Sequence, residues 1–277
     1  MAPMTELKAD IIRQTLGESA AARLVKLEIF SEIESTNSYL MQQPAPAAGK
    51  TRVAATENQT AGRGRHGRTW QSPPGSGLCL SMAYTFSTAP ANLPALTLAI
   101  GLGVIDNLQE LGVGGVQIKW PNDLIAMDGK LGGILTETQG RASGAMTVIT
   151  GIGLNIDLGE RRDFDLDANW AQRIVDLRRH VKELPGRDRI AASMIDSLNR
   201  TFVDYEAGGF SQFVDRWREF DWLFGRKLMI DSPKREISGV GAGIDDDGAL
   251  LVETLSEGMR RVTSGSVVMA GARDSEL

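Results

Sequence analysis

Apolar residues recur at helical spacing over 5–16, 93–111, 187–206 and 210–219. Alternating or short apolar runs bounded by turn residues occupy 25–30, 52–58, 77–86, 115–119, 130–138 and 145–154. The first set predicts helices and the second predicts strands. Ser35 and Thr36 offer a hydroxyl cap to a short helix through Tyr39 and Leu40, and residues 42–50, rich in Pro and Ala, read as a loop. Strands interleaved with helices predict a layered α+β or α/β domain. From about Phe224 the texture changes to short β-like runs, broken by Pro233, by Asp245-Asp246-Asp247-Gly248 and by Glu257-Gly258. These predict a small all-β unit. The aspartate triplet resembles a calcium loop, but that register places Gly243 at the first ligand position, so it reads as a solvated turn. The expected division is 1–222 and 223–277.

Composition narrows the function classes more than it names one. The chain has 277 residues, 42% hydrophobic and 23% charged, as in ordinary globular proteins. A net charge of −5 argues against non-specific binding to nucleic acid or anionic lipid. Cys79 is the sole cysteine, which excludes an intramolecular disulfide, and with only His66 and His180 a Cys/His zinc site cannot be assembled. A reducing cytoplasm is expected. The N-terminal residues lack a secretion signal, and no apolar stretch approaches the roughly 20 residues that span a membrane. Without a secretion signal, the sequon Asn58-Gln59-Thr60 reads as chance.

Residues 62–68 read Gly-Arg-Gly-Arg-His-Gly-Arg and literally contain a dinucleotide-binding G-x-G-x-x-G. That reading fails on context. Ser72-Pro73-Pro74-Gly75 blocks the helix the fingerprint needs, and no acidic residue occurs between Glu57 and Asp106. Glycines interleaved with Arg63, Arg65 and Arg68 fit either a backbone that closes around an anion such as a phosphate or a solvated basic loop. Gly49-Lys50-Thr51 is no P-loop, because Pro44 stands where the first glycine should be. Lys119-Trp120-Pro121-Asn122-Asp123 joins two strand-like runs and fits a turn or a functional cluster. Asp128-Gly129 signals a hairpin that puts Lys130 at the start of a strand, where a lysine is either solvated or catalytic. Cys79 lies in an apolar strand with nothing nearby to activate it as a nucleophile.

The order Ser35-Thr36-Asn37, ENQTAGRGRHGRTW at 57–70, KWPND at 119–123, KLGGILTE at 130–137 and GIGLN at 151–155 resembles the biotin protein ligases, over roughly residues 30–270. Gly132-Gly133 departs from the family's common Ala-Gly and touches no proposed contact. The resemblance implies an α+β fold: a central mixed sheet flanked by helices, related to class II aminoacyl-tRNA synthetase catalytic domains, with a small SH3-like C-terminal domain. It makes 1–222 the catalytic unit that binds biotin and ATP. Carried over by position, it puts Ser35, Thr36, Asn37 and Gln59 around biotin, with the backbone of Arg63-Gly64-Arg65 near its ring and carboxylate. Arg65 and Arg68 become part of a lid over the biotinyl-adenylate, and Trp70 packs beside it. Asn122 and Asn155 face the adenine and ribose side, and Lys130 sits beside the reacting groups.

The implied reaction joins a carboxylate to the α-phosphate of ATP, which brings like charges together and calls for fixed cations and Mg²⁺ rather than an enzyme nucleophile. Lys130 and Arg65 would serve as the catalytic cations, with no metal-ligating side chains identified. Asp123 could orient the attacking lysine of a biotin carboxyl carrier protein or domain. A lipoate or octanoyl transferase is the nearest rival, disfavoured because the arginine-glycine and KWPND clusters together look like the biotin branch. A DNA-binding repressor form would need an N-terminal module of roughly 60 residues. Only about 30 residues precede the first motif, holding four basic and four acidic side chains. A monofunctional enzyme that binds neither DNA nor membrane is therefore expected, with the oligomeric state, a homodimer included, left open.

Overall fold

The computed structural model describes residues 7–140, 144–159, 173–181, 183–231 and 236–269. Two short helices, α1 (Ala9–Thr15) and α2 (Glu18–Arg23), lead into β1 (Leu24–Phe30), and α3 (Thr36–Gln42) crosses over to β2 (Thr51–Thr56). Then follow β3 (Gly77–Phe86), α4 (Leu93–Glu110), β4 (Gln117–Lys119), β5 (Asp123–Ala126), β6 (Gly129–Gly140) and β7 (Met146–Asn155). The seven strands form one mixed sheet in the order β1-β2-β3-β7-β6-β5-β4. β1 and β2 run parallel, as a helical crossover demands, and the other neighbours run antiparallel.

One face of this sheet is covered by α4 and by α5 (Arg187–Gly208), with α6 (Ser211–Phe220) against α4. α4 starts under a cap in which Asn92 Oδ1 accepts from the Ala95 amide at 3.3 Å, and it is buried nearly all round because it is the middle layer between sheet and α5. The two helices approach closely at Gly103, where a Cβ would stand 2.2 Å from Thr201 Oγ1. Strand alternation sorts the side chains. Leu78, Leu80, Met82 and Tyr84 of β3 and Ile152 and Leu154 of β7 enter the main core, while Cys79, Ser81, Gly151 and Gly153 point the other way. Among the described residues, a helix covers that second face at its outer end, where α3 packs Leu40 on Ala54, Ala83 and Ile149. Its centre is left for a cleft.

The C-terminal strands β8 (Lys227–Asp231), β9 (Glu236–Ile244), β10 (Leu250–Thr254), β11 (Gly258–Val262) and β12 (Ser266–Met269) form a separate antiparallel sheet in the order β11-β10-β9-β8-β12. The Asp245 turn is more than a solvated turn. Asp245 Oδ1 accepts from the amides of Asp247 at 3.0 Å and Ala249 at 2.9 Å, which folds Gly248 against Ala95 and Leu98 of α4. The Gly248 carbonyl then accepts from Trp120 Nε1 at 3.0 Å, so the turn is the peg that docks the small sheet beside KWPND.

The predicted strands and helices form with ends within two residues, except that the first helix begins at Ala9; residues 5 and 6 of that prediction lie outside the described residues. α2 and β5 were not anticipated: each is only a few residues long, too short for periodicity to register. The hairpin turn also falls one residue earlier than Asp128-Gly129 suggests. Its two loop residues are Met127 and Asp128, with φ of 47° and 53°, and Gly129 pairs with Ala126. Gly129 is small for a different reason: a Cβ there would stand 2.6 Å from Val175 Cγ1.

Candidate active site

A cavity of about 570 Å³ opens on the uncovered face of the sheet, and every site residue predicted above lines it. At one end Ser35 Oγ caps α3 by accepting from the Ser38 amide at 3.4 Å, which seats Thr36 and Asn37 over β3 and β7. Gln59 Oε1 accepts from Thr36 N at 2.8 Å and lies 3.1 Å from Thr36 Oγ1. Ser81 Oγ lies 2.6 Å from Thr36 Oγ1 and donates to Asn37 Oδ1 at 2.6 Å. The Asn37 amide in turn donates to the Leu135 carbonyl at 3.1 Å and to Glu137 Oε2 at 2.9 Å. This buried polar floor leaves no room on β7, since a Cβ on Gly151 would stand 2.4 Å from Asn37 Oδ1.

The arginine-glycine segment is a hairpin. Trp70 N donates to Gly62 O at 2.9 Å and Gly64 N to Arg68 O at 2.7 Å, with a 3-10 turn over Arg65–Gly67 at the tip. The hairpin aims its three guanidiniums at three different partners. Arg63 makes two bonds to Glu137, at 3.0 and 2.6 Å; Arg65 Nη1 donates to Asn122 Oδ1 at 3.3 Å; Arg68 Nη2 donates to Ser266 Oγ of the small sheet at 2.8 Å. Trp70 lies so close to β7 that a Cβ on Gly153 would stand 2.4 Å from its indole.

Lys130 reaches the cleft through a bulge. Asp123 pairs with Gly133 and Leu124 with Gly132, but Ile125 pairs with Lys130, so β6 carries one extra residue at Leu131. Without it, residues 130 and 133 would face opposite ways. With it, Lys130 Nζ stands 2.8 Å from Asp123 Oδ1 and 5.9 Å from the centre of the Trp70 ring. Two asparagines hold the surrounding backbone: Asn155 Nδ2 donates to the carbonyls of Lys130 at 3.3 Å and Val175 at 3.1 Å, and Asn122 Nδ2 to Ile134 O at 2.9 Å.

Lys119, Lys130, Arg65 and Arg68 line the cleft, and Asp123 is the one carboxylate among the described lining residues. That surplus suits an anionic ligand. Burial lowers the Lys119 ammonium to about 8, with Lys130 and Arg68 adding to the effect and Asp123 opposing it. Burial also lowers Arg65, again against Asp123. The Cys79 thiol is pushed up to about 11 by burial, which leaves it protonated and a poor nucleophile. Lys119, Ser81, Glu137, Gly151 and Gly153 were given no role in the sequence reading. All but Ser81 lie inside quoted motifs, and strand parity from Cys79 and Gly153 would have pointed to Ser81 and Gly151.

Residues 29–155 match the model of the biotin/lipoate A/B protein ligase family, and residues 228–269 match the biotin protein ligase C-terminal domain. The bifunctional ligase/repressor BirA of Salmonella typhimurium is 34% identical over 251 residues, covering 91% of this chain and 75% of that one. The biotin--[acetyl-CoA-carboxylase] ligase of Mycobacterium tuberculosis is 30% identical over 246 residues, 87% of each chain. In fold, the chain is similar to the biotin protein ligase of Aquifex aeolicus in complex with biotin and ATP, with a TM-score of 0.73 at 23% identity over 89% of this chain and 100% of that one. On these matches, this chain belongs to the biotin protein ligase family.

Proposed function

We propose that this chain condenses biotin with ATP to biotinyl-5′-AMP and pyrophosphate, then transfers the biotinyl group to one lysine of a biotin carboxyl carrier protein or domain. Family membership makes it a ligase that uses biotin and ATP. The observation that carries the residue assignments is the convergence of Lys119, Lys130, Arg65 and Arg68 on one cleft beside the Thr36–Ser81–Asn37 floor. One end of the cavity suits a neutral polar ring and the other a polyphosphate. Mass spectrometry of the protein incubated with ATP and an equimolar mixture of biotin, lipoate and octanoate tests this: the acyl-adenylate retained should carry biotin, whereas a lipoyl or octanoyl adenylate would favour the transferase branch.

In the first step Thr36, Gln59 and the floor beneath them hold the ring of biotin, and Lys130 and Arg65 face the carboxylate and α-phosphate. Fixed cations lower the barrier to bringing two anions together. Asn122 and Asn155 act through the backbone of β6, keeping Lys130 and Ile134 in place beside the nucleotide. The arginine hairpin, with Trp70 against β7, shields the mixed anhydride from water. In the second step the carrier lysine must lose a proton to attack the acyl carbon, and Asp123 orients it; AMP is the leaving group.

Mg²⁺ enters with ATP as part of the substrate. Among the described residues no three His, Cys, Asp or Glu side chains group as metal ligands, and Asp123 is already held by Lys130 at 2.8 Å. This donor set fits an ion carried by phosphate oxygens and water, where it would neutralise phosphate charge. We place the boundary of the catalytic unit at 222/223, between the end of α6 at Phe220 and the start of β8 at Lys227. The single buried cysteine supports a cytoplasmic enzyme, and the net charge of −5 supports a ligase that does not bind DNA.

A further inference from the structure

Glu137 stands on β6 between two parts of the cleft that the reaction needs together. Its Oε1 and Oε2 take the Arg63 fork of the hairpin at 3.0 and 2.6 Å, and Oε2 also accepts from Asn37 Nδ2 at 2.9 Å. An ordinary exposed ion pair contributes little. This one is bidentate and rests on a buried amide, with the Glu137 side chain 25% exposed.

A proton count gives the carboxylate a second consequence. An ionised carboxylate and the Leu135 carbonyl can only accept, so the Asn37 NH₂ must face both and its Oδ1 must face Ser81. The single Ser81 hydroxyl proton is then committed to Asn37 Oδ1, and the single Thr36 hydroxyl proton goes to Ser81 or Gln59. Thr36 and Ser81 line the cavity with their hydroxyl protons engaged within the floor. What they offer a ligand is lone pairs, the complement of N–H donors on a cyclic urea.

Building on the ligase reading above, we propose that Glu137 is a positioning residue for biotin. Its carboxylate sets the direction of the Asn37–Ser81–Thr36 chain and holds the Arg63 side of the hairpin, so recognition of the urea ring and closure of the hairpin are coupled. Amidation of the one group weakens both.

The test uses the full chain in biotin-dependent exchange of pyrophosphate into ATP, with the melt and the rate of adenylate release measured alongside. Glu137→Gln should raise the biotin KM and speed adenylate release, each about tenfold, the scale of one charge-assisted hydrogen bond, with ATP KM and kcat within about twofold. Arg63→Gln should speed release by about as much while the biotin KM stays within roughly threefold, because Asn37 keeps its carboxylate. The double variant should be no worse than Glu137→Gln. A parental biotin KM in Glu137→Gln overturns the inference, as does a parallel rise in both KM values with a lowered melt. If Glu137→Gln fails to fold, Glu137→Asp keeps the charge but withdraws it, and the same split between biotin and ATP KM decides. A parent protein inactive in exchange would sink the ligase reading and this inference with it; an active parent with an indifferent Glu137→Gln sinks this inference alone.

Discussion

Lys130 and Asp123 face each other across a hairpin, Nζ to Oδ1 at 2.8 Å, because β6 carries one extra residue. The pair makes Lys130 more than a solvated lysine beside a turn. Lys130→Ala should reduce pyrophosphate exchange at least ~100-fold, the scale of removing one preorganised charge from a transition state. An isolated buried charge left without its partner costs about 3–5 kcal/mol, but Asp123 still faces Lys119 and Arg65, so the loss of stability should be nearer ~1–2 kcal/mol. Adding Asp123→Asn should not restore the melt, because Lys119 and Arg65 then lose the carboxylate that faces them, and should leave the activity lost. Near-normal exchange in Lys130→Ala would remove it from the catalytic set.

Arg65 tests the hairpin as a lid. Its guanidinium meets Asn122 at 3.3 Å and is otherwise aimed into the cleft. Arg65→Gly should let biotinyl-adenylate escape about 10- to 100-fold faster. Because that adenylate acylates amines, the variant should biotinylate an unrelated protein such as serum albumin. Unchanged release and no bystander labelling would remove Arg65 from the lid.

Lys119 should trade stability for function. Its pKa falls from 10.5 to about 8, so below pH 8 the folded state holds a charge that burial disfavours. Between pH 8 and 10.5 the unfolded chain binds more protons than the folded one, and stability rises with pH over that window. Lys119→Met should therefore stabilise the protein by on the order of 1–3 kcal/mol at pH 7, with the gain fading across that window. The same variant should bind ATP more weakly. Denaturant melts at pH 7 and pH 10 check the sign; a variant destabilised at pH 7 contradicts it.

Two glycines of β7 should separate the substrates. A Cβ on Gly151 meets Asn37 Oδ1 at 2.4 Å, and one on Gly153 meets the Trp70 indole at 2.4 Å. Overpacking of this kind costs about 1–3 kcal/mol. Gly151→Ala should raise mainly the biotin KM and Gly153→Ala mainly the ATP KM. Equal effects on both substrates would show that the cleft is not divided as proposed.

Much of this arrangement was legible in the residues. Long periodic segments such as α4 and α5, and strands such as β3 and β7, announce themselves through many apolar positions. The motifs from Ser35 to Asn155 converge on one cleft because strand order, not sequence distance, brings β3, β7 and β6 side by side. What stayed hidden depends on single residues acting at a distance. The bulge at Leu131 has no compositional mark, so the side on which Lys130 falls could not be read from alternation. The Arg63–Glu137 and Arg68–Ser266 contacts join segments 74 and 198 residues apart, and no local pattern encodes such partners. The docking of the Asp245 turn under Trp120 was missed for the same reason.

Transfer itself tests the ligase assignment most directly. The full chain is incubated with biotin, MgATP and a biotin carboxyl carrier domain, and the carrier is digested and mapped by mass spectrometry. One biotinyl group should appear on one carrier lysine, dependent on both biotin and ATP and abolished in Lys130→Ala. A carrier left unmodified while the protein retains bound biotinyl-adenylate, or biotin spread over many lysines by the parent protein, would contradict that assignment.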